Sequence, residues 1–211
     1  MTESSWQSTT NPGRMIQFLM PQRPKRKLAL FGVACARRIP RLCQEPTSAA
    51  AIAVSERYAD RHAKVGELRI ALRAAGPAPG YTSHFTRAEK DRYVAELAVL
   101  CNAASSAELV SEYALKAAPD RSAEKRAQCD LLREVFGNPF RKLRVRKDWL
   151  TSTVVALAQN IYEERVFDHM PVLADALQDA GCDNEEILNH CRGPGPHCRG
   201  CWLVDLLLAK Q

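Results

Sequence analysis

The chain has 211 residues, 46% of them hydrophobic and 26% charged, with eight cysteines and five histidines. This is the composition of a globular protein with one sizeable core or two modest ones. The longest apolar runs, LALFGVACA and WLVDLLLA, fall short of the roughly 18 residues a membrane span requires, and Thr2, Glu3, Ser4 and Ser5 stand where a signal peptide would carry its basic region. A cytoplasmic protein without a membrane partner is expected, its cysteines held mainly as thiols or metal ligands.

The formal net charge of +6 conceals an asymmetry. From Asp148 onward ten acidic residues face four basic ones, a net of −6, which leaves +12 on residues 1–147. Opposite signs on the two halves favour either mutual docking or an acidic partner for the basic half.

Helical patterns dominate. Met15–Met20 makes a short apolar turn beside Trp6, and Lys25–Ile39 carries Leu28, Leu30, Phe31, Val33 and Cys35 up to Pro40. Thr47 or Ser48 caps one long alanine-rich helix over 49–75, which ends at the GPAPG break of 76–80. Thr86 with Glu89 forms a capping box for a helix through Tyr93, Leu97 and Cys101, and a second helix passes through Leu109 and Tyr113. Asp120 or Ser122 opens another, with Cys129, Leu132, Val135 and Phe136 on one face until Gly137.

The segment FRKLRVRKDW at 140–149 alternates like a strand but has no partner, and is expected to be an extended connector. Thr151 or Ser152 then caps a helix through Val154, Leu157 and Ile161. Another starts near Phe167, with Met170, Leu173 and Leu177 inward and Asp168, Asp175 and Asp179 outward; Gly181 stops it. Asp183 with Glu186 gives a further capping box, and Trp202–Leu208 closes the chain as a buried helix.

The expected fold is all-α, with orthogonal or stacked helical hairpins and a short irregular Cys/His loop near the C-terminus. A basic helical region at 1–137, a connector at 138–148 and an acidic helical region at 149–211 are the expected parts, with one continuous domain as the alternative.

The densest chemistry lies in that loop. Cys182, His190, Cys191, His197, Cys198 and Cys201 surround a Gly-Pro turn, and zinc takes four Cys or His ligands in a tetrahedron. The set Cys182, His190, His197 and Cys201 can close through the turn at 193–196, with Cys191 and Cys198 as alternates; zinc is the candidate ion. Packing competes with this reading: the thiols would act as small hydrophobes beneath Trp202, with the histidines capping helix-end carbonyls.

Redox catalysis by Cys198-x-x-Cys201 lacks the βαβ setting such a motif needs. Asp168, His169, Asp175 and Asp179 read as a solvated face, and no G-x-S-x-G, HExxH or phosphate-binding glycine loop occurs. A thiol or metal enzyme using Cys201, Cys198 or His197 would have to assemble its site from scattered residues.

Two basic runs raise nucleic acid as a partner. The first holds Arg23, Lys25, Arg26, Lys27, Arg37, Arg38 and Arg41; the second holds Arg141, Lys142, Arg144, Arg146 and Lys147. Adjoining in space, they would neutralise several phosphates, although neither is interleaved with several aromatics.

FGNPFR at 136–141, VVALAQNIYEER at 154–165, VLADALQDAGCD at 172–183 and HCRGPGPHCRGCWLVDLLL at 190–208 together resemble an uncharacterised helical protein family of planctomycetes. The N-terminal RKLALFGVACARRI fits the same pattern. The resemblance implies an adaptor role by analogy, and an aliphatic residue where Cys198 stands. On these grounds the expected function is a non-enzymatic interaction or regulatory module with a protein partner, its loop closed by packing or by zinc.

Overall fold

The computed structural model describes residues 1–22, 24–39, 44, 46–75 and 104–210. The fold is all-α, with eleven α-helices and no strand among the described residues. The 76–80 break, the Thr86–Glu89 capping box, Tyr93, Leu97, Cys101, Arg23 and Arg41 lie outside them. No helix among the described residues is long and apolar enough to cross a membrane. The chain divides into two compact units, Met1–Leu132 and Arg133–Gln211.

In the first unit, helix α1 (Glu3–Ser8) opens on a reciprocal Thr2–Ser5 capping box and buries Trp6, whose ring centroid lies 6.2 Å from that of Phe18. Asn11 caps α2 (Pro12–Leu19), which buries Met15, Ile16 and Leu19. Helix α3 (Lys25–Arg37) is buried continuously from Leu28 to Ala36, because it packs against both α4 (Pro46–Ala59) and α6 (Ala104–Ala117).

The single helix expected over 49–75 is two, α4 and α5 (Val65–Ala75). Arg61 takes a left-handed φ of 63°, the His62 N–H reaches back to Arg57 O at 2.7 Å, and the Arg61 N–H to Tyr58 O at 3.0 Å. These two bonds are a Schellman termination, with arginine where glycine is usual. Asp60 at the break accepts from Arg26 at 2.9 Å.

Asp120 receives the backbone N–H groups of Ser122 and Ala123 at 2.8 and 2.9 Å at the start of α7 (Arg121–Phe136). These hydrogen bonds hold its carboxyl below the usual carboxylate range. Further along, Gln128 joins Ser111 and Glu124 in a buried polar network, and Glu124 receives the Arg38 guanidinium at 3.0 Å.

The second unit begins with the last turn of α7 and the connector. Residues 142–146 form neither helix nor strand; Leu143 and Val145 are half-buried while Arg144 and Arg146 are exposed. Thr151 caps α8 (Ser152–Glu164), and a 3-10 turn at Phe167–His169 leads into α9 (Met170–Asp179). Gly181, at φ 83°, ends α9 in a Schellman motif through the Cys182 N–H to Leu177 O bond of 2.9 Å. The cap of α10 (Glu185–Arg192) is Asn184, accepting from the Ile187 N–H at 3.1 Å; this places the cap one residue later than the Asp183–Glu186 box.

Helix α11 (Trp202–Leu207) buries Leu203, Val204 and Leu207. They join Val154, Ile161, Met170, Leu173, Leu177 and Ile187 in one core, with α8 packed on α9 and α11, and α9 on α10.

Candidate metal centre

Helix α10 ends at Arg192 and α11 starts at Trp202, so the nine residues between them must turn back along the core. Arg199 anchors this loop, its guanidinium donating to Tyr162 O at 2.9 and 3.1 Å and to Glu163 O at 3.1 Å. Cys198–Cys201 is a tight turn, closed by the Cys201 N–H to Cys198 O bond of 2.9 Å, with Gly200 at φ 93°. A positive φ at the third position of such a turn is glycine's place.

Against this loop lies the end of α7. Gly137 terminates that helix at φ 63°, and a Cβ built on it would stand 3.0 Å from Trp202 Cγ. Helix α7 thereby presents Glu134, only 4% exposed, to His190 and His197.

One ligand atom from each of Glu134, His190, His197 and Cys201 can be chosen so that all four lie within 4.8 Å of one another. His197 Nδ1 is 3.2 Å from Glu134 Oε1, His190 Nε2 is 3.2 Å from Cys201 Sγ and 3.6 Å from Glu134 Oε2. Bonds of about 2.0–2.3 Å to a tetrahedral zinc place neighbouring donors roughly 3.3–3.8 Å apart, so the donor set and spacing fit such an ion after a small contraction. His197 also has its outer support, since Nε2 faces Gly193 O at 3.4 Å; a metal-binding histidine commonly donates its other N–H to such a carbonyl.

Without an ion the four groups satisfy one another through protons. The indole N–H of Trp202 donates to His190 Nδ1 at 3.2 Å, so the proton of neutral His190 sits on Nε2, facing Cys201 and Glu134. Burial holds His190 below the ordinary histidine pKa despite Glu134, and its approach to Glu134 is therefore a neutral contact. Burial acts against charge on His197 too, but the hydrogen bond and charge of Glu134, with the Gly193 carbonyl, outweigh it and raise its pKa. Burial pushes the Cys201 thiol far up, with Glu134 adding to the effect. An ion would replace the Cys201 and His197 protons.

The sequence-derived ligands divide. His190, His197 and Cys201 come together, while Cys182 is a core residue, 3% exposed, packed with the fully buried Cys191; Glu134 stands in its place. Burial, with Cys182 and Glu134 nearby, pushes Cys191 up to about 12. Cys198 is half-buried and outside the cluster. Glu134 carries one local signal, an acid set among Leu131, Leu132, Val135 and Phe136 on a helix.

The basic runs also divide. Arg26, Arg37 and Arg38 pair with Asp60, Glu56 and Glu124 inside the first unit; Lys25 is exposed and Lys27 half-buried. Arg141, Lys142, Arg144, Arg146 and Lys147 are all exposed in the second unit, with Arg146 bound to Asp148 and lying over Trp149. Asp168, His169, Asp175 and Asp179 are exposed, as a solvated face requires. Comparison with family models, curated proteins and solved structures finds no match for the chain.

Proposed function

We propose that this protein is a non-enzymatic helical interaction module whose C-terminal unit is closed by a zinc-class ion held by Glu134, His190, His197 and Cys201. The convergence of these four ligand atoms within 4.8 Å carries the reading. Four protein donors complete a tetrahedron, and a closed set serves structure where a catalytic site keeps a position open. The ion would bind the end of α7 to a loop with little apolar packing of its own. The exposed apolar side chains Val155 and Val172 on the same unit, the latter 52% exposed, support a protein partner.

Metal analysis of the untagged full chain tests the site. About one zinc per chain, with loss of thermal stability in chelator, is expected; zinc well below stoichiometric and a melting temperature indifferent to chelator would sink it.

A second reading, binding of a polyanion such as RNA or DNA, is supported by the exposed cations of 141–147. The pairing of Arg26, Arg37 and Arg38 with internal acids narrows it to that connector. Retention on nucleic acid at low salt that disappears when Lys142, Arg144 and Lys147 become glutamine is the expected result. Wild-type protein that flows through the column removes this reading.

A further inference from the structure

We propose that Cys198 and Cys201 are a redox pair whose disulfide loosens the ion in the Glu134–His190–His197–Cys201 site; this rests on the metal reading above. The geometry is that of the turn. Residues at the two ends of a hydrogen-bonded four-residue turn have Cα atoms less than about 7 Å apart, and disulfides span about 4.4–6.8 Å. The 2.9 Å Cys201 N–H to Cys198 O bond closes this turn, and Arg199 within it is fixed to the α8 carbonyls. The backbone of the turn therefore holds the two cysteines within disulfide reach.

The two thiols have different access. Cys198 is half-exposed and outside the ligand set, while Cys201 is fully buried within it. The other described cysteines of this unit, Cys182 and Cys191, are buried in the core. Oxidant reaches Cys198 first, and the site's only sulfur ligand is three residues away.

With hydrogen peroxide as oxidant, Cys198 Sγ gives up its proton and attacks one peroxide oxygen; the S–O bond forms, the O–O bond breaks, and Cys198 becomes a sulfenic acid as water leaves. The metal-held Cys201 thiolate then attacks Cys198 Sγ; the S–S bond forms, the S–O bond breaks and hydroxide leaves. The two sulfurs have lost two electrons to the peroxide, which ends as one water and one hydroxide. The divalent ion, unchanged in oxidation state, loses its sulfur donor and one of its two ligand charges and keeps two histidines and a carboxylate, an open three-ligand set from which a competing chelator takes it more readily.

The experiment uses the full-length zinc-loaded protein and its C198A variant, with zinc content measured first. Hydrogen peroxide is then added, release is followed with a chromogenic chelator, and the products are digested with trypsin. Cleavage after Arg192 and Arg199 places the two cysteines on the separate peptides 193–199 and 200–210, so the disulfide appears as their cross-link. The expected result is zinc loss and the cross-link in wild type, with zinc retained by C198A. Equal loss from both proteins, or Cys201 oxidised without the cross-link, overturns the switch while leaving the metal site standing. Absence of zinc at the outset overturns the reading on which the switch rests, and the switch with it.

Discussion

The indole N–H of Trp202 points at Nδ1 of His190, 3.2 Å away, and this one hydrogen bond decides where His190 keeps its proton. An indole nitrogen can only donate, so Nδ1 must accept and Nε2, the atom facing Cys201 and Glu134, must carry the hydrogen. A metal ion on Nε2 requires the opposite tautomer, with Nδ1–H confronting Trp202. Binding therefore sacrifices the Trp202 hydrogen bond, worth about 1 kcal/mol.

Replacing Trp202 with phenylalanine removes that competition. W202F is expected to bind zinc about fivefold more tightly than wild type, the equivalent of about 1 kcal/mol, even if the variant is less stable without metal. Competition against a chromophoric chelator measures both affinities. An unchanged or weaker affinity in W202F would mean that the indole does not set the tautomer.

From Asp120 onward the helices and most of their stops were legible from the sequence because local chemistry makes them, whereas Glu3–Ser8 and Pro12–Leu19, helices in the structure, read only as an apolar turn beside Trp6. Asp120, Thr151 and Gly181 act through bonds to residues within five positions. The break at Arg61 was not legible, since a left-handed arginine carries no compositional mark and Asp60 is occupied by Arg26 from another helix. The site was half legible for the same reason. His190, His197 and Cys201 are near neighbours in sequence, whereas Glu134 arrives from 56 positions before His190 on a helix whose pattern reads as core. Cys182 was the nearest cysteine upstream, but the Schellman turn at Gly181 directs the chain so that its thiol enters the core.

Glu134 and Cys182 therefore separate the two ligand sets. E134Q is expected to lose stoichiometric zinc, because an amide is a poor ligand and removes the charge that supports His197. C182A is expected to retain zinc and to lose stability by about 1–3 kcal/mol, as for a small buried side chain leaving a void. Zinc content and chemical denaturation of the two variants check both statements; zinc lost from C182A and kept by E134Q would restore the sequence-derived set.

Stability of the metal-free protein should peak near pH 6.5, the ordinary histidine value. His197, raised in the folded state, stabilises fully below that value and loses its contribution as pH rises through its folded pKa. His190, lowered in the folded state, contributes above it and loses that contribution as pH falls through its own. The raised Cys201 and Cys191 thiols add a further loss above pH 9, where the unfolded thiols ionise. Urea midpoints across pH 5–10 in chelator measure the curve, and a flat profile between pH 5 and 8 would show that the histidines are not coupled to folding.

Zinc binding has the opposite slope on the alkaline side. Below the raised pKa of His197, binding displaces one proton from that imidazolium and one from Cys201, so affinity rises about a hundredfold per pH unit; above it only the thiol proton remains and the slope falls to about tenfold. Chelator competition at several pH values reads the two slopes directly. A single tenfold slope throughout would mean that His197 is neutral before the ion arrives.

Gly137 and Gly181 both occupy left-handed backbone, at φ 63° and 83°, but their surroundings differ. A Cβ on Gly181 meets nothing within 4 Å, whereas one on Gly137 stands 3.0 Å from Trp202 Cγ and 3.2 Å from Cδ2. G181A thus reports backbone strain alone, about 1 kcal/mol, while G137A adds displacement of the indole and should cost roughly 2–3 kcal/mol. Because Trp202 also holds the His190 tautomer, G137A should alter zinc affinity and G181A should not. Denaturant midpoints and chelator competition on the same two variants test the pair, and equal behaviour in both assays would detach the end of α7 from the control of the site.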